Sequence, residues 1–172
     1  AHGFDATRKA AWVADSLRAD PIEGVELVEP APLTKSDLLT VHDAAYVDAV
    51  RDGNPRGLAE SNSFTWDPGL WSMVLASNGG AVAAALDVLE SGGIAGSLSS
   101  GLHHAKRGRG AGNCTFNGLA LAARAAIAAG ATSVLIIDLD AHCGGGTFQT
   151  LGGDPRVRQV GGRRRAILRG QR

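Results

Sequence analysis

The stretch Ser133-Val134-Leu135-Ile136-Ile137-Asp138-Leu139-Asp140-Ala141-His142 decides how the rest of this 172-residue chain is read. Its first half is a continuous apolar run, the pattern of a strand covered on both faces in a parallel sheet. Its second half alternates polar and apolar, so in extended backbone Asp138, Asp140 and His142 point to one side. A carboxylate and an imidazole two residues apart at a strand end can share one divalent ion, because zinc accepts both donors at about 2.0–2.2 Å. The same aspartates can instead cap a following turn or helix. Three polar groups facing one way at the end of a buried strand argue for a site.

Upstream, Phe116 to Ala129 is an Ala-rich helical segment ended by Gly130, Gly101 to Thr115 a Gly-rich polar loop, and Ile94 to Ser99 a candidate strand. Strand, loop, helix and strand in that order predict a βαβ unit. The fold class is therefore α/β, a three-layer arrangement with a mostly parallel sheet and helices on both faces. Ligands in such sheets bind outside the carboxyl ends of the strands, where His103-His104 and the Asp138–His142 cluster both fall. Helices are predicted over Asp5–Arg18, His42–Arg51 and Leu70–Glu90, a short β-like run over Val25–Val28, and a loop over 53–69. Gly79-Gly80 inside the long helix costs about 1 kcal/mol per glycine relative to Ala, which implies a closely packed neighbour.

Adjacent histidines on a glycine-rich loop can divide the labour of hydrolysis. One accepts the proton of an attacking water and the other protonates the leaving group. Alone, a His-His pair is as readily a polar loop; beside a metal-donor cluster one crossover away it points to chemistry.

Three segments carry a family resemblance: Gly101-Leu102-His103-His104-Ala105-Lys106, Gly112-x-Cys114-x-Phe116-Asn117, and Asp138-x-Asp140-x-His142-x-Gly144-x-Gly146-Thr147. In order and spacing they resemble the central block of histone deacetylases and acetylpolyamine amidohydrolases, which share the arginase/deacetylase fold. Weaker similarity covers Leu39-x-x-His42-x-x-x-Tyr46-Val47 and Trp66 to Ala76. The resemblance implies a partial fold of that family. It implies His103 and His104 as the acid/base pair, Asp138 as carboxylate partner of His103, and Asp140 and His142 as zinc ligands. Gly112, Asn113 and Cys114 would line the acyl pocket. Cys114 is equally read as a small buried hydrophobe.

The chain departs from the family pattern at defined places. The third zinc ligand and the oxyanion-stabilising tyrosine have no counterpart, leaving Cys143, His2 and His42 as the remaining candidate donors. Cys143 replaces a histidine, Gly145 stands where an Asp or Asn would support His104, and Asn113 replaces an aromatic wall. A wider pocket suits small activated esters. The expected function is a hydrolase of acyl groups on amides or esters, acting on a small acylated substrate. The alternative is a non-catalytic, truncated module that binds a partner.

Composition narrows the remaining classes. Lys plus Arg and Asp plus Glu each number 17, so net charge is zero and nothing global argues for nucleic acid or an anionic membrane. The domain is expected over 1–160, followed by a basic tail, 161–172, carrying Arg163, Arg164, Arg165, Arg169 and Arg172. Two cysteines argue against a disulfide scaffold and for a reducing, cytoplasmic setting. No apolar run is expected to reach the roughly 20 residues that span a bilayer. Half a parallel sheet leaves apolar surface and open edges, so a homo-oligomer is expected.

Overall fold

The computed structural model describes residues 8–142 and 144–161. His2, the expected helix start at Asp5, Cys143 and the tail from residue 162 onward lie outside the described residues. The elements are α1 (Lys9–Ala19), α2 (Lys35–Leu39), α3 (Ala44–Asp52), α4 (Arg56–Ala59), α5 (Gly69–Ser91), α6 (Gly118–Ala128), β1 (Val134–Asp138), α7 (Gly145–Leu151) and β2 (Val157–Gly161).

The fold is α/β, and its sheet among the described residues is one parallel pair, with Val134 opposite Val157 and Asp138 opposite Gly161. The crossover between the paired strands is α7. The expected unit of Ile94 strand, helix and Val134 strand is not formed. Residues 94–99 are irregular, and Ile94 is fully exposed, with no neighbouring strand among the described residues to bury it. Val25–Val28 also fails to form a strand. Its apolar side chains stay exposed, and two prolines close the segment. Neither α7 nor β2 was expected; both are short, and β2 interleaves Arg158 and Gln159 with its two valines.

Register explains the burial of β1. Val134, Ile136 and Asp138 face inward, where Ile136 joins a core with Val47, Val50, Val74, Phe116, Leu121 and Leu151. Leu135, Ile137 and Leu139 face outward with Val160 of β2 and are exposed, Leu139 at 91 %. The layer of helices expected on the second face is absent among the described residues.

Two helices have clear local causes. Asn117 caps α6 by accepting the Ala120 N–H, and Thr34 and Asp37 form a reciprocal capping box on α2. The glycine pair of α5 does have the close neighbours its sequence implied. A Cβ on Gly79 would overlap Ala31 O, and one on Gly80 would lie 2.8 Å from Ser97 Oγ. By length and mean hydropathy α5 could also cross a membrane, contrary to the expectation that no run would qualify. Its Gly79 contact and its buried Leu70, Val74 and Asn78 instead seat one side of it against the protein.

Candidate active site

The loop 101–117 and the end of β1 meet through one short hydrogen bond. His103 Nδ1 lies 2.6 Å from Asp138 Oδ2, and Asp138 is buried to 6 % exposure. A carboxylate accepts, so Nδ1 carries the proton and Nε2 is left as a base. The other Asp138 oxygen accepts the Asp140 N–H at 3.1 Å, fixing the carboxylate from both sides. His104 stands against His103 with ring centroids 4.2 Å apart, and 6.1 Å from the ring of His142. Burial, then the positive charge available to His103 and His142, pushes the His104 pKa below its ordinary value.

Asp140 and His142 sit on the open side. Asp140 Oδ1 lies 2.9 Å from His142 Nδ1 and accepts the His142 N–H at 2.7 Å, which pulls the carboxyl below its usual range. Their side chains are 52 % and 71 % exposed. They offer an oxygen and a nitrogen to one point, as a zinc edge requires. Among the described residues no group of three or more donors surrounds a common centre, however, and a catalytic zinc takes three protein ligands. The donors fit the metal as two of its ligands, and the third is not among the described residues. His42 is excluded from that role because it is buried at 1 % exposure with both ring nitrogens engaged by backbone.

The three expected pocket residues separate. Gly112, at φ +52°, lies under His104, and a Cβ there would overlap the imidazole. Asn113 is exposed in a left-handed conformation, its N–H donated to Asn62 O at 3.0 Å. Cys114 is buried behind it, with Sγ 3.4 Å from Gly112 O, and burial pushes its thiol pKa up. Gly145 opens α7 with free space around its Cβ position.

Sequence reasoning missed the scaffold beneath the pair. A Cβ on Gly146 would overlap the carbonyl oxygens of His103, His104 and Ala105, and one on Gly144 would overlap the Asp138 carboxylate. Thr147 donates its N–H to His103 O at 3.1 Å, and Asn117 Nδ2 donates to Ala105 O at 2.9 Å. Asn117, Gly144, Gly146 and Thr147 lie in the motifs that carry the resemblance. Their signal was polarity or smallness in segments that otherwise pack.

A parallel strand ending in this carboxylate-supported histidine pair, with an Asp/His donor couple beside it, defines a class of α/β proteins built around a strand-end site. The chain belongs to the histone deacetylase family, whose histone deacetylase domain matches residues 2–160. A probable deacetylase from Archaeoglobus fulgidus is 31 % identical over 154 residues, covering 87 % of this chain and 43 % of the relative. The acetoin utilization protein AcuC of Staphylococcus aureus (strain COL) is 28 % identical over 166 residues, covering 91 % and 43 %. The crystal structure of the HDA15 HD domain superposes with a TM-score of 0.72 at 28 % identity, over 91 % of this chain and 45 % of that one. The chain therefore spans somewhat less than half the length of these relatives.

Proposed function

We propose that this chain carries the acid/base half of an acyl hydrolase that removes acetyl-type groups from amides or esters. The observation that supports it most is the 2.6 Å contact of His103 with buried Asp138, which leaves His103 Nε2 free to take a proton from an attacking water. Asp138 then stabilises the imidazolium. The proton that His103 takes from water is the one returned to the leaving group, directly or through His104, whose ring centroid is 4.2 Å away and which is neutral at rest because its pKa is lowered.

Zinc, held by Asp140 and His142, would supply carbonyl polarisation and water activation. Its third ligand would come from polypeptide beyond the described residues. In our reading a second copy of the chain is the source, associating through the bare face of Leu135, Ile137, Leu139 and Val160. Esters, having the better leaving group, are the preferred substrates, a choice supported by Asn113, an exposed residue that would give an acyl channel no aromatic wall.

The test assays a chromogenic acetate ester and an acetyl-lysine peptide, each with and without chelator, beside solution mass. Turnover abolished by His103→Ala and by chelator is expected. Ester turnover indifferent to chelator removes the zinc. No turnover on either substrate favours a non-catalytic, partner-binding module.

A further inference from the structure

We propose that His42 is a positioning residue for the His103-His104 pair: a neutral imidazole that joins the two ends of the 103–117 loop from beneath. The proposal rests on the reading that the pair does chemistry, but its geometry does not.

His42 lies just before α3. Its Nδ1 is 3.0 Å from Lys106 O and 3.3 Å from Arg107 O, and its Nε2 is 3.0 Å from the Asn117 N. Backbone carbonyls only accept and a backbone N–H only donates. The ring therefore has its proton on Nδ1 and a bare Nε2, fixed from both sides by main chain. A second proton, on Nε2, would confront the Asn117 N–H, donor against donor. Burial works in the same direction and lowers the pKa to about 4. The charged groups facing the ring are Asp43 and Arg107, which oppose each other in effect and are themselves paired at 2.9 Å. Tyr46 and Phe116 pack on the ring at 5.9 Å and 5.0 Å. Tyr46 also donates to Thr115 O at 2.6 Å.

From His42 the tie reaches the pair in two steps. Asn117, whose N–H is held by His42, sends Nδ2 to Ala105 O at 2.9 Å, to Thr147 Oγ1 at 3.1 Å and to His103 O at 3.4 Å. Thr147 closes the circuit on His103 O. The carbonyls of His103 and Ala105 are thus fixed by Asn117 and by Thr147 of α7, and Asn117 by His42. The side chain itself touches none of the reacting groups.

The test compares His42→Gln with His42→Phe in the full chain. Gln carries one donor and one acceptor and does not titrate. Phe keeps the ring packing and has neither. The readouts are the low-field N–H proton of His103 in its bond to Asp138, by NMR, and hydrogen exchange of the Asn117 amide. Neither needs turnover, so failure of the hydrolase reading leaves the test intact. The Gln variant is expected to keep the resonance and the slow amide. The folded Phe variant is expected to lose the resonance and to exchange the amide at least roughly tenfold faster, the scale of one lost buried hydrogen bond. Where hydrolysis is measured, kcat falls in the Phe variant with little change in KM, and Gln restores it. A folded Phe variant that keeps the His103 resonance overturns the proposal, as does a folded Gln variant that has lost it. If the Phe variant does not fold, the Gln result decides on the same terms.

Discussion

The two sides of the site are built to different standards. On the histidine side, the carbonyls of His103 and Ala105 are tied by hydrogen bonds from Asn117 and Thr147, Asn117 is tied to His42, and Gly146 packs closely beneath the pair. On the open side, Asp140 and His142 bond mainly to each other at an exposed strand end, beside an outer face of exposed apolar side chains. A polar group buried without a partner costs roughly 1–3 kcal/mol, so the buried partners of His42 and Asn117 hold that side in place. Among the described residues the open side has no such ties. The contrast teaches that a histidine pair can be aimed by the backbone of its own loop and the helix beneath it, whereas an exposed Asp/His couple is aimed only by its own turn.

The sharpest way to break the tied side is Asp138→Asn. The amide can no longer hold the proton on His103 Nδ1 or stabilise the imidazolium, and a comparable carboxylate-to-amide change in a Ser-His-Asp triad lowers kcat about 10⁴-fold. A loss of roughly 10³–10⁴ in ester kcat, with an unchanged circular dichroism spectrum, is expected. A loss under tenfold would mean that His103 is not the base.

Next in size is a dependence on pH. His42 has its folded pKa lowered from 6.5 to about 4, so between those values the unfolded chain takes up a proton that the folded chain refuses. The stability associated with this histidine is complete above pH 6.5 and declines as pH falls toward 4, by about 3 kcal/mol in all. His104, also lowered, adds to the same window. The lowered carboxyl of Asp140 acts at more acid pH, below its ordinary value of 3.8. Urea melts from pH 7 to pH 4 should show this slope in the native chain and a shallower one in His42→Gln.

Gly146→Ala comes third. The added methyl would overlap carbonyl oxygens that cannot move without shifting both histidines. Overpacking of this kind costs about 1–3 kcal/mol, and here ester activity should fall further than stability does. Thermal melts and kcat on the same preparation separate the two.

How much of this was legible in the sequence follows the same division. The site residues announce themselves by chemistry: His103-His104 and Asp138-x-Asp140-x-His142 are polar groups where a buried sheet should be apolar. The structure brings them together at the strand end, with His103 on Asp138 and His104 between the two histidines. The strand at Val134 was legible because its run is unbroken. The sheet around it was not. Ile94–Ser99 has strand-like composition but no pairing partner among the described residues, and strand pairing is a non-local property that propensity does not carry. The scaffold was equally hidden, because a buried His42 and a metal-binding histidine are the same letter. Only both ring nitrogens meeting main chain separates them.

The smallest effect tests the open side directly. Ile136 and Ile137 are neighbours in β1 with opposite fates, one in the core and the other 61 % exposed. Ile136→Ala should cost about 2–4 kcal/mol, the usual consequence of emptying a packed position. Ile137→Ser removes a largely exposed side chain, and for a monomer the expected change is within about 0.5 kcal/mol. If a second copy covers that face, the melting temperature of the native chain depends on protein concentration, because association contributes stability by mass action, and Ile137→Ser lowers the solution mass and weakens that dependence. Sedimentation of the native chain and of this variant at two concentrations distinguishes the cases. Equal masses, both monomeric, would mean that the bare face is not joined by a second copy and that the third metal ligand must come from elsewhere.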